Sequence, residues 1–147
     1  MEYHHRQFGT VIVASLAAAT IFIALPLLRS EAFYAIQVEV LILLLAALVL
    51  FYSLTVEIID NILICRMGIG LIQKRIPLSE IEQVRKVQIP LYAGWGIHGI
   101  PGQCWVWNVS GRSGVELTYK DGRRFLIGTD EPEVVVKAIE AAKTMGN

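Results

Sequence analysis

The stretch VLILLLAALVLFYSLTVEIIDNILICRM, Val40 to Met67, changes physical character halfway along, and that change decides the fold. Val40 to Phe51 is apolar without a break, the pattern of a helix immersed in hydrocarbon. After Tyr52 the chain becomes short and β-branched. Leu54-Thr55-Val56-Glu57-Ile58-Ile59 and Ile62-Leu63-Ile64-Cys65-Arg66-Met67 flank the turn pair Asp60-Asn61, as two strands of a hairpin do.

Working back toward the N-terminus, Gln7 to Leu28 carries no charged residue. Of the 147 residues, 54% are hydrophobic and only 18% charged, and mean hydropathy is +0.54. That balance is too apolar for an ordinary soluble domain, and membrane segments account for the excess. Residues 1–53 are therefore expected to form an N-terminal tail and a membrane α-helical hairpin, with helices over about 8–28 and 35–53. The first apolar run exceeds the roughly 7–15 residues of a signal-peptide core, which favours an uncleaved anchor. Pro26 is expected near its end, where freed backbone groups lie close to the interface.

A short connection around Arg29-Ser30-Glu31 puts both chain ends on one side. Arg6, Arg66, Lys74 and Arg75 outweigh Arg29, so that side is expected to be cytoplasmic, in a multi-pass protein of the cell's inner membrane. Phe33, Tyr34, Phe51 and Tyr52 fit interfacial belts. Glu39, a few residues past the outer boundary, is read as reaching headgroups and water. Ala14, Ser15 and Ala18 form a small-residue stripe that would allow close helix packing in an assembly.

Residues 54–147 have the size of one compact domain. Eleven Lys and Arg stand against ten Asp and Glu there, and no broad basic face points to nucleic acid. Beyond the first hairpin, strands are predicted over Leu71–Ile76, Ile81–Ile89, Cys104–Val109, Val115–Tyr119 and Arg124–Ile127, the last two joined at Asp121-Gly122. The chain closes on a helix. Asp130-x-x-Glu133 has the form of a capping box, Pro132 suits a first turn, Val135, Ala138, Ile139 and Ala142 share one face, and Gly146 suits a stop. Seven strands and one amphipathic helix predict an α+β domain, a small bent sheet closed by that helix.

Pro77-Leu78-Ser79-Glu80-Ile81, Gly94-Trp95-Gly96-Ile97, Gly114-Val115-Glu116-Leu117, Asp121-Gly122-Arg123-Arg124 and Ile127-Gly128-Thr129-Asp130-Glu131-Pro132-Glu133 together resemble the bacterial membrane-anchored pleckstrin-homology-like (PH-like) domains. The resemblance covers about the last ninety residues. It implies a seven-stranded barrel capped by the C-terminal helix and placed next to transmembrane helices, and it implies little about activity. Phosphoinositide-binding members carry basic residues between their first two strands, where this chain has Asp60-Asn61.

Candidate chemistry centres on AGWGIHGIPG, Ala93 to Gly102. Gly94, Gly96 and Gly99 have the spacing of a dinucleotide fingerprint. However, Ile100-Pro101-Gly102 cannot open the helix that the fingerprint requires, so no dinucleotide is expected and the segment is read as a linker. Trp95, Trp105, Trp107, His98 and Arg112 gather near it as candidate binding residues, with core packing the competing role for the indoles. Lys74, Arg75, Arg85 and Lys86 are candidates for contact with anionic headgroups or, alternatively, solvated strand faces.

No metal-ligand spacing or cofactor motif accompanies His98, and His4 and His5 are too few for a metal. Cys65 and Cys104 are read as small buried hydrophobes. Asn108-Val109-Ser110 fits a glycosylation acceptor but would face the cytoplasm. The expected function is a membrane-anchored binding or scaffolding module whose partner is a membrane protein, a second copy or the membrane surface. Two alternatives are a thiol-dependent enzyme using Cys104 and His98, and a transport-associated subunit using Glu39.

Overall fold

A computed structural model describes residues 3–27, 34–102 and 104–145. Strand β1 (Tyr3–Phe8) leads directly into helix α1 (Thr10–Leu27), and helix α2 (Tyr34–Phe51) leads directly into β2 (Ser53–Ile59). The hairpin partner β3 (Ile62–Met67) and edge strand β4 (Ile72–Pro77) follow. After a single 3₁₀ turn the chain builds β5 (Ile81–Gln88), β6 (Gly96–Ile100), β7 (Cys104–Asn108), β8 (Ser113–Tyr119) and β9 (Arg124–Gly128), then helix α3 (Pro132–Met145). The protein is thus α+β, with three helices and two sheets among the described residues.

The first sheet has the order β1-β2-β3-β4 and is antiparallel throughout. The second has the order β5-β8-β9-β7-β6, with β7 and β9 parallel. Leu54, Val56, Ile58, Leu63, Cys65 and Met67 point inward from the first sheet, and Val115, Leu117, Phe125, Ile127 and Trp107 from the second. Helix α3 contributes Val135, Ala138, Ile139 and Ala142, the face expected from its periodicity.

Among the described residues nine strands replace the seven expected, and the two sheets do not close into a barrel. The 3₁₀ turn at Leu78–Glu80 carries the chain from one sheet to the other, so β4 and β5 are not hydrogen-bonded neighbours. The two added strands are β1, expected as a tail, and β6, expected as a linker. The boundary at residue 53 therefore cuts through a sheet. The capping box is also rearranged: Asp130 lies 2.6 Å from His5 Nε2, Glu133 pairs with Lys86, and Thr129 Oγ1 accepts the Glu131 N–H at 3.2 Å. The Arg29-Ser30-Glu31 connection, Phe33 and Gly146 lie outside the described residues.

Helix α2 is the one helix among the described residues long and apolar enough to cross a membrane, with mean hydropathy 2.5 over 18 residues and none of them buried. The apolar stretch Thr10–Pro26 of α1 falls just short of the same length. Both helices meet the first sheet at one end. Gly9 N–H donates to the Tyr52 carbonyl at 2.7 Å, and Gly68 N–H donates to the Ser53 carbonyl at 2.8 Å. Gly68 has a φ of 52°, and a Cβ there would run into the backbone carbonyls of Val49 and Leu50.

Replacing Gly68 with Ala therefore adds a left-handed strain to a collision with backbone that cannot rotate away. The expected loss is about 1–3 kcal/mol in denaturant unfolding of the purified protein. Gly122→Ala, with positive φ but open space around it, should cost less. Equal losses at the two sites would show that the α2 contact does not matter.

Candidate functional site

The glycine-rich segment bends where glycine is needed and then becomes a strand. Gly94 has a φ of 61° and Gly96 a φ of 104°. The His98 imidazole lies over both, and a Cβ at Gly96 would sit 3.4 Å from His98 Cε1. The glycines lead into β6, which pairs with β7 from Gly96 opposite Asn108 to Ile100 opposite Cys104. No helix begins at them, so the phosphate-binding amides of a dinucleotide loop have no counterpart here.

Asn108 fixes this segment. It is 1% exposed at the end of β7. Its Nδ2 donates to the carbonyls of Gly94, at 3.3 Å, and Gly111, at 3.1 Å, while its Oδ1 accepts the Ser110 N–H at 3.3 Å. Gly128 leaves the space that the Asn108 side chain occupies. Ser110 in turn holds the base of the helices, its hydroxyl 2.8 Å from Thr10 Oγ1 and its carbonyl accepting Gln7 Nε2 at 3.1 Å. The residue pattern alone does not mark Asn108 for this role. A polar amide closing an aromatic strand before a Ser-Gly turn is the signal that could have found it.

The three tryptophans separate. Trp107 is 7% exposed in the main core and meets Phe125 edge-to-face at 5.7 Å, a favoured arrangement of aromatic rings. Trp105 shares its strand face. It is nevertheless 55% exposed, near the opposite end of β7 from Asn108. There it borders a cavity of about 420 Å3 with Pro101, Cys104, Arg123 and Arg124. Trp95, 39% exposed, borders a different cavity of about 440 Å3 between β6 and the roots of the helices, with Ile12 and Leu16 of α1, Phe51 of α2, Ile97 and His98. Arg112 is exposed in the β7–β8 turn and meets Trp95 only across a narrow cleft beside Asn108.

The basic candidates are mostly engaged within the domain. Lys74 lies on the inner face of β4, its Nζ 4.4 Å from the centre of the Phe125 ring. Burial holds its ammonium below the ordinary lysine range. Arg85 donates to the buried Glu116 at 2.7 Å, and Lys86 pairs with Glu133 at 2.8 Å. Arg75 is exposed on β4. A further cleft of about 620 Å3 lies between Pro77, Lys120 and Lys143, where the Lys143 ammonium donates to the carbonyls of Ile81 and Glu82.

His98 and Cys104 border different cavities, two rungs apart on the β6–β7 ladder. Burial pushes the Cys104 thiol up, with Arg124 partly opposing, and pushes Cys65 up to about 12. Neither environment promotes a thiolate. Glu39, Ala14, Ser15 and Ala18 are all exposed on their helices. Exposed Phe8, Ile69, Leu71, Leu91 and Tyr92 are surface features that the sequence pattern does not mark. Ile69 and Leu71 flank the turn that Gly68 presses against α2, and Leu91 and Tyr92 immediately precede the Trp95 bend.

Asn108→Ala should lower stability by about 1–3 kcal/mol, because two buried carbonyls and one N–H lose their partner. Trp95 emission should change while the emission of buried Trp107 holds; unchanged melting and emission would refute the role given to Asn108. With maleimide at neutral pH, Cys104 should react more slowly than a free thiol, and Cys65 only after unfolding. Fast modification of Cys104 would reopen the thiol-enzyme alternative. No protein-family model and no curated protein matches the chain, so the geometry alone carries its functional reading.

Proposed function

We propose that the protein is a membrane-anchored binding module: α1 and α2 cross the inner membrane as a hairpin, and a PH-like β domain stands on the cytoplasmic side. The β1–β2 ladder carries this reading. Its register runs from Tyr3 opposite Ile58 to Phe8 opposite Ser53, so the start of α1 and the end of α2 emerge side by side from one sheet. If α2 crosses, its first residue Tyr34 is on the far side. From Leu27 to Tyr34 the chain reaches at most about 25 Å, short of a hydrocarbon core of about 30 Å. The 18-residue α1 rises about 27 Å and, continued by that connection, has the reach for the other crossing.

Exposed Phe8, Ile69, Leu71 and Trp95 surround the helix roots, where apolar and aromatic side chains suit an interface. Arg6 and Arg66 on the same sheet favour the cytoplasmic side. The PH-like reading draws support from a C-terminal helix packed against strands of both sheets. Binding is favoured over catalysis by the separation of His98 from Cys104 and the raised thiol pKa. The partner surface is assigned to the membrane-distal end, where exposed Trp105 stands beside Pro101 and Arg123. Tryptophan and arginine are the residue types that dominate interface energetics. The partner is a membrane protein or a second copy of this chain.

In a Cys104→Ser background, Tyr34→Cys and Asp121→Cys should be labelled by a membrane-impermeant maleimide from opposite sides of sealed vesicles. Labelling from one side would sink the hairpin. Mass measurement in native membrane patches should then show a protein companion or defined oligomer that Trp105→Ala loses. A lone chain with Trp105 intact would sink the binding module.

A further inference from the structure

The cavity between β6 and the helix roots has a polarity gradient that matches one class of molecule. Its β6 side carries the Trp95 indole and the His98 imidazole. Its helix side carries Ser15 and Leu16 of α1 and Ala47 and Phe51 of α2. Leu16 lies six residues into α1 and Ala47 four residues before the end of α2. Those offsets place them roughly 9 Å and roughly 6 Å along the helices from the sheet. In the membrane-anchored reading above, the polar groups sit at headgroup level and the apolar lining descends alongside the acyl region.

The cavity volume is about 440 Å3. Small-molecule sites range from roughly 300 Å3 to roughly 1000 Å3, so it is large enough to hold part of a lipid. The site is also built rather than incidental. Gly94 and Gly96 adopt left-handed backbone beneath the His98 ring, a conformation that a residue with a Cβ resists. Buried Asn108 holds the Gly94 carbonyl, so a satisfied buried amide fixes the wall in place.

We propose that this cavity binds a single phospholipid of the surrounding leaflet, with its acyl chain against Leu16, Ala47 and Phe51 and its glycerol-phosphate region at Trp95 and His98. The proposal rests on the membrane-anchored reading above. An indole and an imidazole offer N–H donors to ester and phosphate oxygens, while the helix side offers only one hydroxyl. A bound lipid would also join β6 to the hairpin, where Ile12, Phe51 and Ile97 already pack against the main core.

The full chain, reconstituted in vesicles of phosphatidylethanolamine and phosphatidylglycerol, is first washed with alkaline carbonate. It is then photolysed with a trace of phosphatidylglycerol carrying a diazirine near its glycerol end. Adducts are expected on Trp95 to His98. Ala47→Phe, which fills the apolar half, should reduce them roughly tenfold, the ratio produced by about 1.4 kcal/mol of lost affinity. Leu16→Phe is the second variant should the first fail to fold, and melting temperature checks both. Carbonate-resistant protein labelled evenly around the helices, or labelled equally in the filled variants, overturns the lipid site and leaves the anchor standing. Photo-crosslinking of this segment to a second copy overturns it in favour of self-association. Release by carbonate overturns both the site and the membrane reading.

Discussion

The antiparallel pairing of β1 with β2 is the constraint on which the rest of the molecule depends. It ties residues on either side of a long helical excursion; Arg6 and Tyr52, 46 residues apart, are joined by a hydrogen bond and by the guanidinium over the tyrosine ring. Closing so long a loop costs entropy, but the cost grows only logarithmically with length. A six-residue ladder, the Gly9 to Tyr52 hydrogen bond and the packing of the two helices offset it together. Because the ladder runs up to the helix ends, it fixes where the helices leave the sheet, which strand edges lie beside them and where the Trp95 segment can sit.

Electrostatics in the domain is largely internal. Glu57 and Glu116 are buried carboxylates, and each is met by arginine: Arg66 at 2.9 Å for Glu57, and Arg85 with Arg124 for Glu116. An unpaired carboxylate at such positions would be costly, so these arginines are committed before any surface role is considered. The same applies to Lys74, whose charge lies over Phe125. A positively charged strand in the sequence thus does not become a positively charged face, and the apolar rim around the helices, with its indole and imidazole, is the more distinctive feature of the end where the helices meet the first sheet.

Much of this architecture was legible in local patterns. The Leu54 to Met67 hairpin, the Asp121-Gly122 turn and the buried face of α3 all appear as read, since each depends on neighbours within a few residues. The helical excursion was legible for the same reason: unbroken apolar residues leave few alternatives. Strands β1 and β6 were not. Tyr3–Phe8 is polar and adjoins an apolar run, and Gly96–Ile100 is rich in glycine, so neither has strong β propensity. Each becomes a strand because a partner edge is presented to it.

Local patterns suffice for the two apolar helices, the strand-rich domain after them, the C-terminal helix and the clustering of tryptophan and glycine around residue 95. Contacts distant in the chain are what assemble nine strands among the described residues into two open sheets, place Trp107 in the core while Trp95 and Trp105 border separate cavities, and turn Lys74 inward. The two kinds of information differ in range. Periodicity records which face of an element is apolar, whereas strand partnership and cavity shape depend on residues brought together across the helical excursion, and no local pattern encodes that meeting.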